Sequence, residues 1–270
     1  MQIIKASGDK VPFEKKHIEK SILRAGGSNS FAKQTARNVE RKISKDMSTQ
    51  KVLMLTLDEL KKDPEVAMKY NLKRAIMELG PEGYVFEEFF AQILTNYGYK
   101  TKTGTMVKGK RVLQEIDIIA EKKKRIMIEA KYHNQIGIYT KGKVAMYTYA
   151  RFLDINSNPK NKFDEPWLVT NTRCSRNAIE YGKGVGLKII GWAYPSKGQN
   201  LQNIIEKKSL YPITVLRCLP KKVKEKLFSA KIILAKDLAN HSVDEIMKKT
   251  ELKKHTIEKL LNEAKILFGK

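Results

Sequence analysis

The stretch from residue 81 to 192 constrains the fold most, because runs of β character alternate there with runs of helical spacing. Pro81 opens a helical segment whose apolar stripe is Phe86, Phe89, Phe90, Ile93, Leu94 and Tyr97, and Gly98 closes it. β-type runs follow at residues 99–103, 113–120 and 125–131, the last two joined by the charged turn Glu121-Lys122-Lys123-Lys124. A helix around 144–152, a strand at 167–170, a helix over 175–183 and a strand at 188–192 complete the series. Alternation of this kind predicts an α/β domain with helices around a mixed central sheet.

The flanks have a different character. Residues 1–80 begin with two short β-like pieces, Gln2-Ile3-Ile4-Lys5 and Val11-Pro12-Phe13, around a turn at Ser7-Gly8-Asp9-Lys10. Helical spacing then takes over at Ile18, Ile22 and Leu23, at Ala36, Val39 and Ile43, and at Val52, Leu55 and Leu60, with Ser48 or Thr49 as a cap for the third helix. A last helix runs from Pro64 to Leu79-Gly80. From residue 213 onward the pattern is helical again, in short segments near 221–227, 235–238, 243–248 and 255–267. Three domains are therefore expected: 1–80, small and α+β; 81–212, α/β; and 213–270, all-α. With 270 residues, 41% of them apolar, the chain can build these cores without staples.

Composition excludes some classes. Cys174 and Cys218 stand far apart with no metal-ligand spacing, which argues against a disulfide framework or a structural zinc. No basic-then-apolar leader and no apolar run near the ~18 residues of a membrane span is present, so a cytoplasmic protein with no membrane partner is expected. The net charge is +24, spread over all three segments. Such an excess attracts polyanions by counterion release, with nucleic acid as the leading partner, although a lysine-rich solvated surface has the same composition.

The residues with the sharpest chemistry are Asp117, within the apolar run Ile116-Asp117-Ile118-Ile119, and the following Glu129-Ala130-Lys131. A carboxylate in an apolar strand is costly without a partner. Glu129 and Lys131 are two apart on one strand and leave the same face, and the hairpin can bring Asp117 beside them. Two acids and a lysine on one face suit metal-assisted phosphodiester hydrolysis: the acids hold a hard cation such as Mg²⁺ or Mn²⁺, and the ammonium orients water or stabilises charge on the phosphate. An exposed hairpin with a cross-strand ion pair fits the same residues. His133 and Gln135 could touch the phosphate or serve as polar strand-end residues. Lys141, Lys143 and Arg151 could form a basic track for a phosphate backbone, with Tyr147 and Tyr149 between them or packed below.

The segment from Gly83 to Pro212 resembles the PD-(D/E)XK nuclease superfamily, more narrowly the Mrr-like restriction endonuclease domain. The resemblance is carried by Gly83-Tyr84-Val85-Phe86-Glu87, the Asp117 strand, Glu129-Ala130-Lys131 and the strand-helix-strand from Trp167 to Pro195. It implies a metal-dependent endodeoxyribonuclease with Asp117, Glu129 and Lys131 in the catalytic set. It also implies one more metal-binding acid from the first helix. Of Glu87 and Glu88, Glu87 borders the apolar stripe and is the expected one. Glu129 stands where many Mrr-like domains carry glutamine, which leaves open whether the substrate is ordinary, modified or branched DNA.

Residues 1–80 resemble the ATP-cone domain through Ile3-Ile4-Lys5-Ala6-Ser7-Gly8, Val11-Pro12-Phe13-Glu14, Ile18-Glu19-Lys20-Ser21-Ile22, the helix start at Ser48-Thr49 and Asp63-Pro64-Glu65-Val66-Ala67-Met68-Lys69-Tyr70. That resemblance implies ATP or dATP as a regulatory ligand, held by Lys5, Gly8, His17 and Thr49. Ala6 and His17 depart from the basic residues usual there. The tail resembles paired helix-hairpin-helix modules, with Lys231-Ile232 and Glu251-Leu252 where hairpin glycines are usual. An endonuclease gated by nucleotide is the first reading, with a homodimer favoured by analogy with nucleases that cut both strands. A non-catalytic, nucleotide-sensing DNA-binding regulator is the alternative, and a cone that only mediates assembly is a third.

Overall fold

The computed structural model describes residues 1–269 and divides into two compact units, one formed by Met1–Ala75 with Ile213–Lys270 and the other by Ile76–Pro212. In the first unit, β1 (Gln2–Ile4) pairs antiparallel with β2 (Lys10–Pro12), Ile3 opposite Val11. Gly8 turns the hairpin in the left-handed region at φ +88°, a conformation that glycine reaches without a Cβ penalty. Helices α1 (Lys15–Arg24) and α2 (Asn29–Lys42) follow, then a two-residue strand β3 (Met47–Ser48) that pairs parallel with β1, a pairing the sequence pattern did not suggest.

Helix α3 (Thr49–Glu59) is capped by Ser48, whose hydroxyl accepts the Lys51 N–H at 3.2 Å. The expected single helix over 64–80 is instead two, α4 (Pro64–Tyr70) and α5 (Leu72–Met77). Asn71 ends α4 with ψ near 0°, and its side-chain oxygen is buried without a hydrogen-bond partner. Ile3, Ile18, Ile22, Ala36, Val39, Leu60 and Val66 form the core.

The second unit opens with α6 (Tyr84–Asn96), whose buried face is Val85, Phe86, Phe89, Phe90, Ile93 and Leu94. Strands β4 (Lys100–Lys108), β5 (Leu113–Glu121) and β6 (Arg125–Lys131) form an antiparallel meander. β4 is longer than its apolar signal because its inward-facing positions, Thr101, Thr103 and Thr105, are threonines, whose β-branching suits a strand and whose polarity hides the period.

A short β7 (Tyr139–Thr140) and α7 (Gly142–Asn156) carry the chain over to β8 (Glu165–Thr170), parallel to β6. After β9 (Arg173–Cys174), which pairs parallel with β7, α8 (Arg176–Val185) leads to β10 (Lys188–Ile190), parallel to β8. The sheet order is β10-β8-β6-β5-β4, a mixed sheet with β6 at its centre, and α9 (Leu201–Lys207) completes the unit.

The tail consists of α10 (Lys221–Ser229), α11 (Ala235–Asn240), α12 (Val243–Thr250) and α13 (Lys254–Leu267). Its two hairpins turn at equivalent left-handed residues, Lys231 at φ +58° and Glu251 at φ +53°. These residues stand where helix-hairpin-helix modules usually carry glycine, so each hairpin keeps the glycine-like turn at the cost of a strained side-chain-bearing residue. Among the described residues no helix is long and apolar enough to cross a membrane.

Candidate nuclease site

The site lies where β5 and β6 part. Their ladder runs from Glu121 opposite Arg125 to Ile118 opposite Ile128 and goes no further, whereas β6 stays paired with β8 as far as Lys131 opposite Thr170. Beyond Ile128 the β5 side of β6 loses its backbone partner, and buried N–H groups need one. Asp117 supplies it: its carboxylate accepts the Ala130 N–H at 2.7 Å. By continuation of the register Asp117 lies opposite Glu129, so both acids share one face with the outward-turning, exposed Lys131. On the other side of Asp117, between the paired Thr103 and Thr105, stands Gly104, which adds no side chain to that face.

Electrostatics mark this face as a cluster. Burial, and then the charges of Asp117, Glu115, Glu129 and Glu88, push Glu87 up to about 7. Glu129 is also pushed up to about 7, by burial and then by Asp117, against the opposing pull of Arg151 and Lys131. Burial raises Asp117 too, against the Ala130 hydrogen bond and the Arg151 charge. Glu87 from α6 is thus within electrostatic reach of both strand acids, whereas Glu88 accepts a hydrogen bond from the Thr103 hydroxyl at 2.6 Å. The carboxylates are hard oxygen donors with more negative charge than their neighbours neutralise, which is the chemistry that a divalent cation relieves. Among the described residues no three His, Cys, Asp or Glu side chains are gathered into a metal-holding group, so these acids would have to draw together around an ion.

Arg151 does not lie on a surface track. It is buried at 8% exposure, donates from Nη1 to Glu129 Oε2, and stacks over the Tyr147 ring at 5.3 Å. The spacing Thr148, Arg151, Ile155 puts it on the inward face of α7, a signal that was present in the sequence and was outweighed by its charge. Lys141 and Lys143 remain exposed at the start of that helix. His133 is held as a strand-end residue: its backbone N–H and C=O both bond the Asn171 side chain, at 2.9 and 2.8 Å, and its Nε2 meets the Thr140 hydroxyl at 3.1 Å. Gln135 is exposed.

In the cone, Ile4 pairs with Ser48 at the ends of β1 and β3, so Lys5 follows β1 and Thr49 opens α3 just beyond that pair. Gly8 sits in the adjoining hairpin turn, and His17 lies exposed on the first turn of α1 with Glu14 at 3.7 Å.

The domain order read from the sequence agrees with known families. An ATP cone domain matches residues 1–77, a restriction endonuclease domain matches 80–194, and an AF1548-like C-terminal domain matches 211–268. A relative from Archaeoglobus fulgidus, described as an uncharacterized protein, is 41% identical over 180 residues, which is 66% of this chain and 99% of the relative. The chain belongs to the AF1548-like family. A crystal structure titled as the protein of unknown function AF1548 superposes with a TM-score of 0.62 at 39% identity, covering 70% of this chain and all of that one. This AF1548-like protein is thus an ATP cone fused to a restriction-endonuclease-type domain and a helical C-terminal domain.

Proposed function

We propose that the protein is a divalent-metal-dependent endodeoxyribonuclease whose ATP cone binds ATP or dATP as a regulatory ligand. The observation that carries this reading is that Asp117 lies opposite Glu129 by register where β5 and β6 part, with Glu87 of α6 within electrostatic reach of both and Lys131 two residues beyond Glu129 on β6. Glu87, Asp117 and Glu129 would hold the cation, Mg²⁺ or Mn²⁺. When bound, it supplies a Lewis acid for the phosphate and lowers the pKa of a coordinated water.

The protein's own groups do the rest. Asp117 fixes the two strands together through Ala130, Glu129 stands on the central strand of the sheet, and the exposed Lys131 would offer an ammonium to the charge that develops on the phosphate. Lys141 and Lys143 would follow the DNA backbone. Lys5, Gly8, His17 and Thr49 would hold the nucleotide phosphates, as basic and backbone N–H donors at a helix start do. Cleavage of both strands by one type of site favours a dimer. Domain limits of 1–80, 81–212 and 213–270 accompany this division of labour.

One observation favours a second reading, a nucleotide-sensing DNA-binding regulator without catalysis: Glu129 is already engaged by Arg151. Incubation of the wild type and Asp117→Ala with plasmid and branched DNA, with Mg²⁺ or Mn²⁺ and with or without ATP or dATP, separates the two. Metal-dependent nicking that the variant lacks supports the nuclease. DNA binding without cutting under every condition supports the regulator.

A further inference from the structure

We infer that Arg151 is a positioning residue of the candidate nuclease site, holding Glu129 by one carboxylate oxygen so that the other faces the acids of Asp117 and Glu87. The inference rests on the nuclease reading and assigns a role to a residue outside its acid and lysine set.

Four observations carry it. The ion pair joins two buried side chains, with relative exposures of 9% for Arg151 and 14% for Glu129, so solvent screens it little. Contact is through Nη1 and Oε2 alone, which leaves Oε1 outside this hydrogen bond. The Arg151 Nε is buried with no hydrogen-bond partner, so Glu129 and the stacked Tyr147 ring are what orient the guanidinium. Finally, both residues sit within regular elements: Glu129 is in the central strand of the sheet and Arg151 is mid-helix in α7, the crossover between β6 and β8.

A carboxylate on a buried strand beside a second acid would otherwise turn away from it. A charged, planar guanidinium hydrogen-bonded to one oxygen holds the carboxylate against that rotation. Residues that orient a metal-binding group from behind typically change cation affinity by about 10–100-fold when removed.

The test uses the full-length, DNA-free protein and Mn²⁺ alone, with free Mn²⁺ followed by its EPR signal at fixed pH. Thermal unfolding is recorded alongside. Arg151→Met is expected to weaken Mn²⁺ binding by about 10–100-fold, Arg151→Lys to recover part of that loss, and Arg151→Met to cost nothing further in a Glu129→Gln background. Arg151→Gln retains a donor for Oε2 without the charge, so the comparison survives if the apolar variant does not fold.

A lower melting temperature with unchanged Mn²⁺ affinity would make Arg151 merely structural and overturn the inference. Tighter Mn²⁺ binding in Arg151→Met would overturn it by showing that the guanidinium competes with the cation. In both cases the nuclease reading survives if Asp117→Ala loses the ion. A wild type that neither binds Mn²⁺ at Asp117 nor nicks DNA would remove both.

Discussion

The Asp117 carboxylate accepts the backbone N–H of Ala130 at 2.7 Å, which ties the acid of one strand to the residue between Glu129 and Lys131 on the next. The strands part where their chemistry is concentrated, and a side chain replaces the missing rung of the ladder. This contact makes Asp117 both a structural clamp and a candidate ligand, and the two roles separate on substitution.

Asp117→Asn keeps an oxygen that can accept from Ala130 and removes one negative charge from the cluster. Nicking is expected to fall by about 100-fold or more, while the metal-free protein unfolds at the same temperature or higher. Parallel nicking assays and thermal melts check this; a variant that melts early and also cuts poorly would point to a clamp role alone.

The raised acids make metal-free stability depend on pH. Glu87 and Glu129 are both shifted from 4.5 to about 7 on folding, so their protonated forms are favoured in the native state. That contribution is complete below pH 4.5 and is lost as the pH rises through about 7. The melting temperature in chelator should therefore decline across this window, and added Mn²⁺ should restore it more at pH 7.5 than at pH 5. Glu87→Gln should flatten part of the decline. A flat profile in the wild type would contradict the clustering.

Lys131 is exposed and outside the core, so Lys131→Met is expected to leave the unfolding free energy within about 0.5 kcal/mol of wild type. Its expected effect is on turnover, a fall of about 100–1,000-fold in the rate under saturating metal, with Mn²⁺ affinity retained. Single-turnover nicking beside Mn²⁺ titration distinguishes this outcome from a loss of the ion.

In the cone, ATP or dATP at 100 times its Kd should stabilise the nucleotide-binding unit by about 2.7 kcal/mol, and Lys5→Ala should reduce that effect. Differential scanning calorimetry with each nucleotide measures it. No shift with either nucleotide would assign the cone a packing role instead.

Away from the site, Gly109 marks a close approach. A Cβ there would lie 2.1 Å from Asp154 Oδ2, whose carboxylate also accepts the Arg111 N–H at 3.0 Å and the Gln114 side chain at 3.2 Å. Gly109→Ala should displace this acid from the turn between β4 and β5 and destabilise the protein by about 1–3 kcal/mol. Urea denaturation should show an earlier midpoint with an unchanged slope.

Much of the architecture was legible because burial leaves a period in the residue order. The stripe from Phe86 to Leu94, the strands at 113–120 and 125–131 and the shared face of Glu129 and Lys131 all follow from spacing. What escaped is equally physical. β3 has two residues, too few for any period, although it pairs with β1 through Ile4 opposite Ser48. The break at Asn71 is a local ψ choice inside a pattern that reads as continuous helix.

By itself the sequence determined the order of domains and the mixed α/β character of the middle one, because these depend on periodicity and on motif resemblance. Only the tertiary structure decided that Asp117 completes the parted ladder, that Arg151 turns inward to Glu129 rather than outward to solvent, and that the first 75 residues and the tail form one compact unit. Those outcomes join residues 13, 22 and more than 130 positions apart. At such separations it is burial and charge pairing, and not local preference, that select the partner.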